Sequence, residues 1–335
     1  MKKVKWGVLS TAKIGLDKVI PAMQASAWCE IAAIASRSPE QARAAADRLG
    51  IPTAYGSYEA LLADPEIEAI YNPLPNHLHV AWTLAAARAG KHVLCEKPFA
   101  MSAADALALR ALDPAVLVME AFMVRFHPQW LRARALVQQG ALGELRVVQA
   151  YFSYFNRQPG NIRNRSDAGG GALYDIGCYA VVAGRFFFGA EPLRAIALFD
   201  RDPEFGTDRL CSALVDFGAG RRLDFTVSTQ TTPYQRLHLV GTRQRLEMEI
   251  PFNAPQGAAA RIWLDDGRVP GARQALCEDL PPADQYTLQG DAFAQAVRGV
   301  AALPYGRADA ECNLSVIDAL FASEQTGAWV AVAPA

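Results

Sequence analysis

Residues 4–15, VKWGVLSTAKIG, hold the reading that decides the fold. Residues 4–9, apolar but for Lys5, read as a short buried strand. Ser10, Thr11, Ala12, Lys13 and Ile14 then form a turn of mostly small or polar side chains, and a stretch with helical spacing follows, ending near Ala25. Ser10, Ala12 and Gly15 stand at the three fingerprint positions of a G-x-G-x-x-G turn. Such a turn aims backbone N–H groups and a helix N-terminus at a pyrophosphate. Ser and Ala are small enough for close approach but take the tight turn less easily than Gly. Alone, the segment fits a generic strand-to-helix turn as well as a dinucleotide turn.

The residues that follow favour the dinucleotide. Residues 30–35 read as a strand, 39–49 as a helix closed by Gly50, and 58–63 as a short helix. A strand at 67–71, a long helix ending at Gly90, a strand at 91–95, a helix at 102–112 and a strand at 115–119 complete the series. Strands alternating with helices through short loops predict a doubly wound parallel sheet, a Rossmann domain over residues 1–122. Its ligands lie beyond the carboxyl ends of the strands. The loops after Leu9, Ala35, Tyr71 and Cys95 should therefore meet at one crevice. The expected cofactor residues are Ser10 to Ile14, Ser36, Arg37 and Ser38, Asn72, Pro73, Leu74, Asn76 and His77, and Glu96 and Lys97. Arg125, just past the change of pattern, is added to them.

The end of the second strand discriminates between cofactors. An NAD-binding domain tends to place a carboxylate there for the ribose 2′-hydroxyl. This chain has Ser36-Arg37-Ser38 instead, which suits a 2′-phosphate and favours NADP. NAD remains possible if Arg37 is only a solvated charge.

Beyond residue 122 the pattern changes. A helix at 129–139 precedes an alternating strand at 145–155, a loop at 157–171 and a helix from Asp175 to Phe188. Strands are expected at 193–199, 209–217, 221–229, 235–241 and 244–250, then helices at 286–299 and 308–327. This predicts an α+β domain over 123–335 with a large, open, mostly antiparallel sheet.

Two constellations carry chemistry. Glu96-Lys97-Pro98 sits at the crevice edge, where Lys97 could donate to a ribose or a substrate oxygen and lower the pKa of a neighbouring acid. In the run from Gly169 to Tyr179, Asp175 and Tyr179 are four apart, hence on one face of a helix. A phenol beside a cation can serve as general acid or base for a hydroxyl-to-carbonyl conversion, and Asp175 could hold a substrate hydroxyl or orient Lys97. The same spacing is met by a core tyrosine and a helix-side hydrogen-bonder. Arg163, in the loop bordering this run, is a further candidate for holding substrate.

Composition narrows the field. Hydrophobic residues make up 51% and net charge is −1, so the chain can bury a core and lacks the cationic excess of a nucleic-acid binder. No run of about 18 apolar residues suggests a membrane span, and no signal-peptide core follows Met1, so a cytoplasmic protein is expected. The six cysteines lie far apart and form no C-x-x-C pair, which predicts buried or half-buried thiols. His77 and His79 have no nearby acid, so no metal site is expected.

Taken together, these features resemble the Gfo/Idh/MocA oxidoreductase family over most of the chain. The resemblance rests on the degenerate turn Ser10 to Gly15, on Asn72-Pro-Leu-Pro-Asn76-His77 and on Glu96-Lys97-Pro98. It rests also on Glu120 to Pro128, on the Gly169-to-Tyr179 run and on Asp284-Gln285-Tyr286. Many members carry histidine where this chain has Tyr179. Tyrosine is similar to the branch with glucose–fructose oxidoreductase, dimeric dihydrodiol dehydrogenase and NADP-dependent xylose dehydrogenase. The resemblance implies proton transfer by Lys97 and Tyr179, substrate binding by Asp175, NADP as cofactor, and a homodimer or homotetramer built on the open sheet. The leading expectation is hydride transfer between nicotinamide and a carbinol or carbonyl carbon of a sugar, polyol or cyclic diol. The alternatives are a redox-neutral enzyme that recycles a tightly held cofactor, and a non-catalytic NADP-binding sensor.

Overall fold

A computed structural model, which describes residues 2–268 and 276–334, forms β1 at Val4–Leu9, with all but one of its residues buried. A π-helical turn, Gly15–Val19, leads into α1 at Ile20–Gln24. The chain then runs through β2 (Cys29–Ala35), α2 (Pro39–Leu49), β3 (Thr53–Tyr55), α3 (Tyr58–Leu62) and β4 (Ala69–Asn72). It continues through α4 (His79–Arg88), β5 (His92–Cys95), α5 (Ala103–Ala106) and β6 (Val118–Glu120). The α2 helix shows why such elements are readable. Ser38 accepts a hydrogen bond from Gln41 N–H at 3.2 Å, Pro39 sits in the first turn, and Gly50 closes the helix at φ 64°.

Among the described residues, these six strands form one parallel sheet in the order β3-β2-β1-β4-β5-β6. The order reverses between β1 and β4, so the loops after those strands diverge at the sheet's carboxyl edge and leave a crevice there.

The second sheet begins after α6 (Pro128–Gln138) with β7 (Leu145–Phe155). A π-helical turn, Leu173–Gly177, opens α7 (Cys178–Phe188). There follow β8 (Arg194–Arg201), β9 (Asp208–Asp216), β10 (Arg222–Ser228), β11 (Gln230–Gly241), β12 (Arg245–Met248), β13 (Ala260–Asp265) and β14 (Leu276–Leu280). Then come α8 (Gln285–Val297), α9 (Arg307–Thr326) and β15 (Val330–Ala331). The strand order is β14-β13-β12-β11-β7-β10-β9-β8-β15. All neighbours are antiparallel except β7 and β10. One row across the sheet, in register, is Leu198, Ser212, Thr226, Tyr151 and Arg236. These side chains share a face on which Leu198 is 78% exposed.

Two expectations need correction. The division after residue 122 is incomplete, because the chain separates into Met1–Met123 with Tyr286–Glu311, and Val124–Gln285 with Cys312–Ala335. The returning segment is bound by its side chains. Phe293 packs on the buried Trp6 with ring centroids 5.3 Å apart, Thr287 donates to Ala22 O at 2.8 Å, and Ser26 bonds to Asp291. Arg298 pairs with Glu68 at 2.7 Å and Glu311 with Arg110 at 2.6 Å. The second correction concerns thiols. Cys29, Cys95, Cys178 and Cys211 are buried and Cys312 is half-buried, but Cys277, on β14 at the sheet's edge, is exposed.

Candidate functional site

In the first unit, parallel pairing of β2, β1, β4 and β5 brings Ser10 to Ile14, Ser36 to Ser38, Asn72 to His77, and Glu96 with Lys97 to one edge. Ser10 takes φ 69°, a left-handed conformation that side chains other than glycine and asparagine rarely hold. Its hydroxyl accepts from Ala12 N–H at 3.3 Å, a local bond that helps to keep the turn. The turn thus takes its left-handed step at Ser10 without a glycine there.

The hydroxyls after β2 are engaged locally. Ser36 is buried and accepts from Ser38 N–H at 3.2 Å, while Ser38 caps α2 and donates to Glu40 at 2.7 Å. Arg37, between them, is exposed and lies beside the Tyr58 phenol. Burial raises the pKa of that phenol and the Arg37 guanidinium opposes the rise.

Asn72 differs from its expected role. Its side chain is fully buried, donating to His79 O at 3.2 Å and Thr83 at 3.3 Å, and accepting from Leu74 N–H at 3.4 Å. It shapes the Pro73–Pro75 turn from inside. Asn76 and His77 begin the 3-10 turn Asn76–Leu78.

The Lys97 turn is braced from several sides. The Lys97–Pro98 peptide is cis. Tyr71 donates to Glu96 at 2.7 Å, and Glu120 accepts from Phe99 N–H at 2.8 Å. His79 reaches Pro98 O with Nδ1 at 2.8 Å and Leu74 O with Nε2 at 2.5 Å, tying this turn to the Asn72 turn. Burial pushes the His79 pKa down to about 4, the two carbonyls that face its ring nitrogens oppose the fall, and the Lys97 charge adds to it. Lys97 itself is half-buried. Sequence reasoning set His79 aside as a metal ligand and missed this brace, whose partners lie 5 and 19 residues away.

In the second unit, the loop 156–168 folds through two 3-10 turns, Ile162–Asn164 and Ser166–Ala168. The buried Asn164 donates to Gln158 O at 3.0 Å. Arg163 Nε donates to Asp175 Oδ2 at 2.9 Å, and Tyr154 donates to the same oxygen at 2.5 Å. Asp175 is the main cause of a raised Arg163 pKa, and Tyr179 also contributes. Burial is the main cause of a raised Tyr154 pKa. Tyr179 is buried, its ring 6.0 Å from Phe152 and 5.7 Å from Phe252 between centroids. Arg163, Asp175 and Tyr179 are therefore brought together within one unit, with the Arg163 cation on hand. The helix there is a π-helical turn rather than the regular helix expected from Asp175 onward. Four residues still span less than one such turn. Tyr154 was missed. Its signal was the two-residue period of 145–155, which puts Phe152 and Tyr154 on one face of β7.

Arg125 falls in the second unit, buried in the 3-10 turn Met123–Phe126, and not in the Rossmann unit. Among the described residues, no group of three or more His, Cys, Asp or Glu side chains could hold a metal ion. No helix among them is long and apolar enough to cross a membrane.

Residues 4–114 match the oxidoreductase family with an NAD-binding Rossmann fold, and residues 130–247 match the GFO/IDH/MocA C-terminal domain. D-xylose 1-dehydrogenase (NADP(+)) 2 from Haloferax volcanii is 43% identical over 97% of this chain and 98% of that protein. The chain belongs to the Gfo/Idh/MocA oxidoreductase family. An uncharacterised oxidoreductase from Rhizobium meliloti is 44% identical over 99% of the chain and 100% of its own length. A 3-ketoreductase from Actinomadura kijaniata, solved with NADP and TDP-benzene, superposes with a TM-score of 0.89 at 30% identity, covering 96% of this chain and 98% of that one. As a Gfo/Idh/MocA protein the chain is an oxidoreductase with a nicotinamide-dinucleotide-binding Rossmann domain. The Ser10 turn and the crevice between the β1 and β4 loops fit such a group.

Proposed function

We propose that this oxidoreductase uses NADP to interconvert a carbinol and a carbonyl carbon on a sugar, polyol or cyclic diol. The observation that carries the reading is the Arg163–Asp175–Tyr154 cluster leading into the helix of Tyr179. When bound, the nicotinamide supplies or accepts the hydride. Tyr179 moves the proton at its phenol oxygen, with Arg163 as the cation that favours the phenolate, and Lys97 serves proton transfer as well. Asp175 holds a substrate hydroxyl. A carboxylate offers about four acceptor sites, so its bonds from Tyr154 and Arg163 leave it capacity for that role. The exposed Arg37 after β2 takes the 2′-phosphate, consistent with the NADP named for the Haloferax and Actinomadura relatives.

A second copy of the chain covers the open face around Leu198 and Tyr234, giving a homodimer or a homotetramer; both side chains are at least half exposed.

Tyr179→Phe tests the reading. It should lower kcat at least about tenfold, about 1.4 kcal/mol of barrier, while NADPH affinity changes little. Unchanged turnover of a substrate found in a sugar and diol panel would remove Tyr179 from proton transfer.

A further inference from the structure

We propose that Asp208, at the start of β9, is a positioning residue for Asp175 and Tyr179, acting through the glycine turn that precedes their helix. The inference rests on the catalytic reading above and adds a residue that touches neither substrate nor cofactor in it.

Asp208 is 2% exposed, and its Oδ2 accepts the Leu173 N–H at 2.7 Å. Leu173 begins the π-helical turn that contains Asp175 and leads to Tyr179. The first N–H groups of a helix have no partner within it, so a carboxylate there fixes where the helix starts. The other carboxylate oxygen faces Gly171, where a Cβ would stand 1.9 Å from Oδ1. Gly171 holds φ 117°, its N–H donates to Arg163 O at 2.9 Å, and its carbonyl accepts from Asp175 N–H at 3.1 Å. One buried carboxylate therefore clamps the turn that joins the backbones of Arg163 and Asp175. Burial pushes the Asp208 pKa up to about 7, against the pull of Leu173 N–H and Arg201. A carboxyl so costly to ionise is a poor choice for mere packing. Arg201, opposite it on β8, is itself paired with Glu324 at 2.7 Å, so Asp208 is not simply half of a salt bridge.

The test compares Asp208→Ala with Asp208→Asn, whose carbonyl oxygen still accepts from Leu173 N–H. Steady-state kinetics, NADPH binding by fluorescence, and hydrogen–deuterium exchange of the 169–179 peptide are measured on each. Asp208→Ala should lower kcat at least tenfold, with substrate KM and NADPH Kd each within about threefold. It should raise exchange selectively in 169–179, and Asp208→Asn should recover most of both effects. If the alanine variant cannot be purified, Asp208→Ser, whose hydroxyl ends short of Leu173, carries the same expectation. Unchanged kcat in a folded variant, or parallel losses in kcat, KM and cofactor affinity without asparagine rescue, overturns the proposal. If the wild-type protein turns over nothing in the sugar and diol panel, it is the functional reading that fails. The exchange data then decide on the clamp: selective loosening of 169–179 upholds it, and uniform or absent change overturns it.

Discussion

The two halves of the molecule each place a small-residue turn before a π-helical turn, and they solve the turn differently. In the first, Ser10 holds φ 69° and Gly15 has ordinary room, since a Cβ there would lie 3.6 Å from Tyr71 and 3.7 Å from Pro73. In the second, Gly169 and Gly171 hold φ 80° and 117°, and a Cβ on Gly170 or Gly171 would stand 2.5 Å from Arg163 O or 1.9 Å from Asp208. A left-handed backbone alone tolerates serine. A left-handed backbone with no free volume demands glycine. The degenerate fingerprint before α1 and the strict glycine run before α7 follow from that difference in packing.

The comparison is tested most severely at Gly171. Gly171→Ala adds both a strained φ and a clash with a buried carboxylate, so it should destabilise the protein by roughly 3–5 kcal/mol. Calorimetry should show the melting of at least one unit fall by about 10 °C or more. A loss below about 1 kcal/mol would mean that the turn can relax, and the contrast with Ser10 would collapse.

A smaller effect sharpens the cofactor side. Arg37→Glu replaces a guanidinium with a carboxylate that repels a 2′-phosphate. A hydrogen bond to a charged group is worth about 1.5–3 kcal/mol, so kcat/KM for NADP should fall roughly 10- to 100-fold while NAD loses little. The ratio of the two cofactors' kcat/KM is the measurement. An unchanged ratio would assign Arg37 to Tyr58 alone.

What was legible in the sequence had a local cause. β1 and α2 match their expected ranges because a mostly apolar run, a serine cap, Pro39 and Gly50 each act within a few residues. β7 matches because its alternation lasts 11 residues. β3 and β15, with three and two residues, are too short to show a period, and β14 exposes most of its side chains at a sheet edge. The return of Tyr286–Glu311 to the Rossmann unit depends on Phe293 meeting Trp6, 287 positions away, which no local pattern encodes. The candidate site divides in the same way. Lys97, Asp175 and Tyr179 stand out within short motifs, whereas Tyr154, His79 and Asp208 act by bonds to distant segments. The hydroxyls of Ser36 and Ser38, read as phosphate ligands, each accept a nearby backbone N–H, Ser36 from Ser38 and Ser38 from Gln41 as the cap of α2.

The smallest effect is expected at Ser10, and its smallness is the informative part. Ser10→Gly removes a left-handed side chain, which releases about 1–2 kcal/mol. It also gives up the 3.3 Å bond from Ala12 N–H, a net contribution of about 0.5 kcal/mol at that length. It frees the unfolded chain by roughly 0.5–1 kcal/mol of backbone entropy. These nearly cancel, so stability should stay within about 1 kcal/mol and the melting temperature within about 4 °C. NADPH affinity should likewise hold, because the approach of the backbone is preserved. A large gain on Ser10→Gly would show that this turn stores strain that its packing does not require. A large loss would show that the Ser10 hydroxyl, and not the space around it, sets the cofactor turn, and the packing account of the two turns would then hold for the second unit only.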